Sequence, residues 1–571
     1  MKKVQLGFMR LTAAVIALFA ACASAWTAHG ASFVPVGGDL ASQTATDWNP
    51  EAVPTSATAV SIPNAGTYWA SSDVTFNTLT FSAAGETVVD QHAKGYDNVT
   101  VTAKGGTWAL NQTANGSVVR LKGGVWDFSG KHTKLGQDDY NRSGCGIIID
   151  DGAAVRVGDW RGSVHWSSST QMLDNASTVT ASGTGYFIYD RGNKKYSQNN
   201  RFIVAGGSVF TSNGFVTYNW ANTYNETHVD GNEILVTGEG SKMVMSNSGT
   251  FTIGFASQGD FTVRLEDGGD ISGGNVRFGS SNNKLIVDGG KLSSTFKFVS
   301  TNNFASIANV ADMTLRLPSS SDYDPMGGSY NTLQISNALV RTSTTYLFNS
   351  GHHNTLNVKN GATWDIDSEL FLDISRDKVT SNNVIRIDDG GSVSVGFARL
   401  SGDQNEIVVS NGTFNLKKPN NNYGLCLNFR DYSSAKNVLR LQGSHPRVTK
   451  GDGTVVFLAN SGSEVSFELP AEGYDEGPVI DMGRITINSG ASIKIDCREC
   501  QRAMTKARVS RKTFTLARSF SGEMSINNSV LTAANASIDA DCPDRCRVYV
   551  ANNELLLEVK SKPLGLILSV L

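Results

Sequence analysis

The chain repeats a short phrase, in which an asparagine precedes four to six alternating apolar residues and a glycine turn. Asn382–Gly391 is one copy, and clear copies also begin at Asn232, Asn283, Asn354 and Asn405. Looser copies begin near Asn98, Asn200, Asn331 and Asn437. From Asn331 onward the intervals are 23, 29, 22 and 32 residues, and the earlier intervals of 51 and 48 fit two turns of about 24 residues each. Periods of this size indicate repeats stacked in one dimension.

Each copy alternates apolar and polar residues and is rich in Val, Ile and Thr, which is typical of a strand. A repeat of 20-odd residues is too short to hold a crossover helix, so neighbouring copies are expected to stack rung on rung. The predicted fold class is all-β, a right-handed parallel β-helix (solenoid), and the alternative is an array of β-sandwiches. The strands predicted to stack are 98–103, 117–121, 146–150, 201–205, 232–237, 260–265, 284–288, 331–336, 354–358, 383–388, 405–410 and 437–442.

Glycine turns follow the strands, and an aromatic residue often follows the turn, as in Gly123-Gly124-Val125-Trp126. This fixed offset predicts stacked columns of side chains. Asp267, Asp288 and Asp389 precede Gly-Gly pairs, and Asp151 precedes Gly152. These residues are predicted to form Asx turns in which glycine supplies the positive φ.

The 571 residues include 58 Gly and only 12 Pro, which is typical of a folded, turn-rich β protein. Residues 1–25 combine a basic start, an apolar run over 11–21 and the small residues Ala23-Ser24-Ala25, the pattern of a secretory signal peptide. Removing them leaves 46 basic and 52 acidic residues, a net charge of −6 that does not indicate nucleic acid binding. The apolar runs are too short for a transmembrane span. The predicted domains are the signal peptide (1–25), an N-terminal β cap (26–95), the β-helix repeats (96–460) and a C-terminal β cap with a cysteine-containing basic insert (461–571).

The segment Trp48–Phe81 joins a Trp, a Val-Pro and alternating strands ahead of the repeats. With those repeats, over residues 45 to 460, it resembles the autotransporter-type passenger domains of secreted bacterial proteins, which are built from β-strand repeats. The resemblance implies an exported protein, secreted or on the cell surface. It departs from that family at the end of the chain, where the last 80 residues do not read as a translocator barrel.

Six cysteines remain after the signal peptide, and four form two close pairs, Cys497 with Cys500 and Cys542 with Cys546. In an exported protein this spacing favours two disulfides across the pairs, in either connectivity, over a zinc site. The single residues Cys145 and Cys426 are predicted to be buried small apolar side chains.

Catalysis by a β-helix scaffold needs carboxylates brought together from successive rungs. Asp365 and Asp367 precede Asp388 and Asp389 by about one repeat, so these four are the candidate catalytic group, with turn formation as the alternative for Asp388 and Asp389. The adjacent His352 and His353 are predicted to lie in a loop, because neighbours on a strand point to opposite faces. No cofactor or metal site is predicted.

Two other features suggest binding. A basic run in the C-terminal cap includes the only predicted helix of the second half, about 498–509, and either holds an anion or forms a solvated face; it comprises Arg498, Arg502, Lys506, Arg508, Arg511, Lys512 and Arg518. Aromatic residues between 160 and 224 either contact glycans or pack an insertion on the β-helix; they include Trp160, Trp166, Tyr218 and Trp220.

The sequence thus predicts a non-catalytic structural or adhesin-like β-helix protein outside the cell. The alternatives are a polysaccharide lyase or glycoside hydrolase on the same scaffold, and a glycan-binding module. The expected partners are extracellular polysaccharides or other surface proteins.

Overall fold

The computed structural model describes residues 32–35, 38–103, 108–110, 115–129, 133–135, 142–162, 166–189, 197–219, 230–254, 259–316, 327–343, 345–347, 351–367, 369–372, 381–417, 423–428, 436–450, 456–475, 477–531 and 536–562. The predicted signal peptide lies outside these residues. The chain divides into an N-terminal unit, Met1–Phe251, and a C-terminal unit, Thr252–Leu571. Within each unit, long parallel sheets are formed by strands that come from successive turns of the chain, so the predicted parallel β-helix is confirmed.

The N-terminal unit contains three stacked sheets and an entry sheet. Sheet A1 is parallel and contains Gly66–Tyr68, Glu86–Asp90, Val118–Lys122, Gly146–Asp150, Thr170–Leu173, Arg201–Val204 and Asn232–Thr237. Sheet B1 is parallel and contains Val74–Phe76, Thr100–Ala103, Val125–Phe128, Ala154–Val157, Thr178–Ala181, Val209–Ser212 and Lys242–Met245. Sheet C1 contains Trp160–Arg161, Thr184–Tyr189 and Gly214–Asn219.

The entry sheet begins with the antiparallel pair Ser32–Pro35 and Trp48–Asn49, which flank a short 3₁₀ helix, Ala45–Asp47. It continues in parallel through Ala59–Ile62, Thr78–Phe81, Trp108–Leu110 and Thr133–Leu135. Arg142–Ser143 and Trp166–Ser167 form a separate short pair, and Thr250–Ile253 crosses the division at residue 251.

The C-terminal unit repeats the three-sheet arrangement over more turns. Sheet A2 contains Phe261–Glu266, Lys284–Asp288, Phe304–Ala308, Thr332–Ser336, Thr355–Lys359, Val384–Asp388, Glu406–Ser410, Val438–Gln442, Glu464–Glu468 and Ser492–Asp496. Sheet B2 contains Met313–Thr314, Leu339–Thr342, Thr363–Ile366, Ser392–Val395, Thr413–Leu416, Arg447–Lys450, Ile480–Met482 and Arg511–Ser519. Sheet C2 contains Thr345–Leu347, Glu369–Leu372, Phe397–Leu400, Tyr423–Leu427, Val456–Ala459, Arg484–Ile487 and Met524–Ile526.

Antiparallel pairing replaces parallel pairing at the end of the C-terminal unit. Arg511–Ser519 pairs antiparallel with Glu554–Lys560, and the sheet continues through Cys546–Ala551 to Ala536–Ser537. Ser529–Val530 closes sheet C2 as an antiparallel strand. At the start of the same unit Asp270–Phe278 and Lys291–Phe298 run in parallel. The helix Arg498–Lys506 matches the predicted one.

Strands alternate between buried and outward residues, as their sequence period requires. In sheet B2, Trp364, Val393 and Phe414 occupy one register column and are fully buried, which confirms the predicted stacking of residues after the turn. One predicted pairing is wrong. Residues 98–103 do not lie beside 117–121, because Thr100–Ala103 belongs to sheet B1, where it pairs with Val125–Phe128.

The repeated asparagines form a hydrogen-bonded ladder at the corner before sheet A2. The backbone N–H of Asn331 donates to Oδ1 of Asn354 (2.8 Å), and that of Asn354 donates to Oδ1 of Asn383 (2.9 Å). These side chains are fully buried. Each amide oxygen satisfies a buried corner N–H, which explains why an asparagine opens each phrase. The same bond joins Asn283 to Asn303, Asn303 to Asn331, Asn383 to Asn405 and Asn405 to Asn437. It also joins Asn200 to Asn232 before sheet A1 in the N-terminal unit.

Candidate functional site

The four candidate catalytic aspartates occupy two different columns of the C-terminal unit. Asp365 lies in sheet B2, where it pairs in register with Arg341 and Ser394. Asp388 ends a strand of sheet A2, and its register partner on the next rung is Ser410. Register therefore does not place Asp365 beside Asp388.

Each of these aspartates has its own local environment. Oδ2 of Asp365 is 3.4 Å from Nη1 of Arg341, and Oδ1 contacts Nζ of Lys417. Asp389 has a positive φ of 49° in the turn before Gly390, whose φ is 77°. Asp367 is exposed, and its backbone N–H donates to the carbonyl of Thr342 (2.9 Å). Asp389 thus contributes to the turn, as predicted by the alternative in which Asp388 and Asp389 form a turn.

Asp388 differs in its electrostatics. Burial raises the pKa of Asp388, while Arg386, whose Nε lies 3.9 Å from Oδ2, opposes that shift. A raised pKa is the direction that a general acid needs. No group of three or more His, Cys, Asp or Glu side chains among the described residues is arranged to hold a metal ion.

The two cysteine pairs of the C-terminal cap contact each other through one cysteine of each pair. Sγ of Cys497 lies 2.7 Å from Sγ of Cys546, which is longer than the disulfide bond of about 2.05 Å, so both are thiols in this structure. The hydrogen bond to Cys546 and burial raise the pKa of Cys497, and the same hydrogen bond lowers the pKa of Cys546. Cys145 and Cys426 are buried, as predicted.

The aromatic group between residues 160 and 224 includes a core residue. Trp160 is fully buried, its indole Nε1 donates to Oε1 of Gln171 (2.9 Å), and its ring packs edge to face on Phe202 and Phe210. The glycan-binding interpretation is therefore wrong for Trp160. The side chains of Trp166 and Tyr218 and the whole of Trp220 lie outside the described residues.

His352 and His353 lie in a bend between strands, in agreement with the loop predicted from the sequence. Their side chains have different partners. Nδ1 of His352 lies 3.0 Å from Oγ of Ser381 and 3.2 Å from the backbone nitrogen of the same residue. The ring of His353 stacks on that of Tyr330.

A cleft that the sequence analysis did not identify lies near the helix Arg498–Lys506. It has a volume of about 380 Å³ and is lined on one side by a single column of sheet A2, in which Gln442 is in register with Glu468 and Glu468 with Asp496. Arg498 and Arg502 line the helix side. In the sequence, the basic run was the only indication of this site. The column with Glu468 and Asp496 opposite it depends on the register of the strands, which the sequence did not predict.

Arginines contact two carboxylates of the cleft, those of Asp496 and Glu468. Arg498 forms a two-pronged contact with Asp496, with 2.9 Å between Nε and Oδ1, and this contact lowers the pKa of Asp496. Nη1 of Arg440 contacts Oε1 of Glu468. A carboxylate held by an arginine accepts hydrogen bonds, so Asp496 and Glu468 present acceptor groups along this side of the cleft. Two further members of the basic run, Arg511 and Arg518, pair with Glu558 and Asp481.

No helix in the described part of the chain has the length and hydropathy of a membrane span. No protein-family model, curated protein or solved structure matches this chain.

Proposed function

We propose that this chain is an exported, non-catalytic β-helix protein that acts outside the cell as a structural or adhesin-like surface. The observation that carries the proposal is the pairing of carboxylates on the outer columns. Asp365, Glu468 and Asp496 each contact a cationic side chain, namely Lys417, Arg440 and Arg498. Such pairs stabilise neighbouring rungs and leave a polar surface for contacts with polysaccharides or other surface proteins.

Export is supported by the sequence of residues 1–25 and by the resemblance of residues 45 to 460 to passenger domains. A long stack of similar rungs presents the same kinds of side chain at regular spacings, which suits repeated weak contacts with an extended polymer.

The alternative is a polysaccharide lyase or glycoside hydrolase that uses Asp388, because burial raises the pKa of this carboxyl group, the direction that a general acid needs. The purified protein is incubated with acidic and neutral polysaccharides, with and without Ca²⁺, and reducing ends and unsaturated products are measured. We expect no turnover. Activity that is lost in Asp388→Asn but kept in Asp367→Asn would replace the proposal with the enzymatic function.

We also propose that the cysteines of the cap are oxidised after export, with Cys497 bonded to Cys546 and Cys500 to Cys542. The 2.7 Å contact between the first pair favours this connectivity over the alternative one. Each bond requires two thiols to give up two protons and two electrons to an external disulfide oxidant. Mass spectrometry of unreduced, digested protein is expected to find these two cross-links, and four alkylatable thiols would contradict them.

A further inference from the structure

A column of residues in the left-handed backbone conformation precedes the asparagine ladder of the C-terminal unit. Their φ angles lie between 54° and 62°. Three of the six are asparagines, and asparagine and histidine adopt this conformation more readily than most residues with a side chain. Tyr330 is the bulkiest exception. The members of the column are Asn282, Asn302, Tyr330, His353, Asn382 and Gln404.

Tyr330 and His353 lie on neighbouring rungs and form a parallel stack. Their ring centroids are 4.7 Å apart and the ring planes differ by 5°. The backbone N–H of Tyr330 donates to the carbonyl of His352 (2.9 Å), so the stack follows the spacing of the rungs. A bulky residue with positive φ costs free energy, and such strain is concentrated at binding and catalytic sites.

The stack leaves one aromatic face open to solvent. Tyr330 is 58% exposed, the highest exposure of any aromatic residue among the described large hydrophobic side chains. His353 covers one face of the tyrosine ring, so this exposure comes from the other face, the ring edge and the hydroxyl group. The rung on the open side carries Asn302, which is itself exposed.

Among the described residues, those of the column and of the bend next to the stack carry mainly amide and hydroxyl groups. Asn302 and Asn382 occupy the column on either side of the stack. Ser329 accepts a hydrogen bond from the backbone N–H of His352 (3.2 Å), and Ser381 bonds the ring of that histidine. This combination of a fixed aromatic face with neutral hydrogen-bonding groups matches the chemistry of a sugar ring, which has an apolar C–H face and a rim of hydroxyls.

We propose that the Tyr330–His353 stack is a contact site for a neutral saccharide. A pyranose ring packs its C–H face on the open side of Tyr330, and its hydroxyls bond the amide of Asn302 on that side. The stacking partner holds the tyrosine ring in place before binding, which lowers the entropy lost on association. The inference rests on the proposed function in one respect, which is that this surface is accessible to ligands outside the cell.

The substitution Tyr330→Asn tests the site because it restores the residue type found elsewhere in the column. Asparagine accepts a positive φ more readily than tyrosine, so we expect the melting temperature to stay the same or rise. Binding of neutral oligosaccharides of glucose, galactose, mannose or N-acetylglucosamine, measured by calorimetry, is expected to weaken about fivefold to tenfold, the size of one aromatic contact. His353→Asn is expected to weaken binding as well, since it removes the support of the ring.

Phe520→Ser is the matched control, because Phe520 is also exposed (53%) but lies between the cations of Lys450 and Arg518. It should leave saccharide binding unchanged. If the wild-type protein binds none of these sugars, or if Tyr330→Asn binds them as well as the wild type, the inference is wrong. Binding to cells or acidic polysaccharides that persists in Tyr330→Asn would leave the proposed function intact, whereas turnover of a polysaccharide would contradict that function and not this site.

Discussion

At the scale of single residues, Cys426 shows how burial sets the chemistry of a group. Its side chain is fully buried, and burial raises the pKa of the thiol from 9.0 to about 12, with Arg399 opposing the shift. The thiolate form is disfavoured in the folded protein. This is the property of a packing residue, and it is the reverse of what a reactive cysteine requires.

The raised pKa of Cys426 predicts a loss of stability at high pH. The unfolded thiol releases its proton near pH 9, whereas the folded thiol keeps it up to about pH 12. The stabilisation is therefore complete below pH 9 and is lost between these values, at about 1.4 kcal/mol per pH unit. Urea unfolding of the wild type and Cys426→Ala should give a constant difference in unfolding free energy below pH 9, and the advantage of the wild type should shrink above it. Parallel pH profiles of the two proteins would show that the thiol does not titrate this way.

At the scale of the element, the turn after the sheet A2 strand Val384–Asp388 uses its two glycines for different reasons. Gly390 has a φ of 77°, as the sequence predicted for an Asp-Gly-Gly turn. Gly391 does not have a positive φ, but a Cβ there would lie 2.3 Å from the carbonyl oxygen of Val358. The second glycine is thus required by the close approach of the preceding rung. On that rung, Gly361 has a positive φ of 71° and open space around its Cα.

Alanine substitutions separate these two requirements. In Gly361→Ala the only cost is that alanine disfavours a positive φ, and this is expected to lower the free energy of unfolding by about 1 kcal/mol. Gly391→Ala does not meet that backbone preference but forces Val358 and its strand to move, and this overpacking is expected to cost about 3 kcal/mol. Urea denaturation of both variants measures the difference. Equal losses of unfolding free energy would mean that the rung spacing adjusts without cost.

At the scale of the whole molecule, each rung contacts mainly the rungs beside it, so stability is expected to be local. Asn383 belongs to this nearest-neighbour network. Its Oδ1 accepts from the N–H of Asn354 (2.9 Å), and its Nδ2 donates to the carbonyl of Gly351 and to Oδ1 of Asn405, both at 3.0 Å.

Asn383→Ala is expected to cost about 2–4 kcal/mol, because it leaves buried polar groups on adjacent rungs without partners. Hydrogen exchange should quicken in Thr355–Lys359 and Glu406–Ser410 and stay unchanged in Glu86–Asp90. The control Asn382→Gly, at a half-buried position with φ of 57°, should change stability by less than about 0.5 kcal/mol. Faster exchange throughout the chain would indicate that the rungs unfold as one cooperative unit.

Most strands of sheet A2 were predictable because the information that forms them is local. The predicted strand 383–388 is observed as Val384–Asp388, and the long interval between Asn232 and Asn283 contains one further rung, Phe261–Glu266. Thr170–Leu173 and Phe304–Ala308 were not predicted, since they carry only a short alternation of apolar residues. Their place in the sheets depends on pairing with stronger neighbours.

The sequence by itself determined the rung, because strand period, asparagine and glycine turn are properties of one short segment and its neighbour. The tertiary structure decided which side chains meet. Asp365 contacts Lys417, Cys497 contacts Cys546, and Tyr330 stacks on His353. The connections between strands differ in length, so the register between rungs follows from packing and hydrogen bonding rather than from a fixed repeat. For that reason the acidic column of the cleft and the aromatic stack emerged only when the rungs were in place.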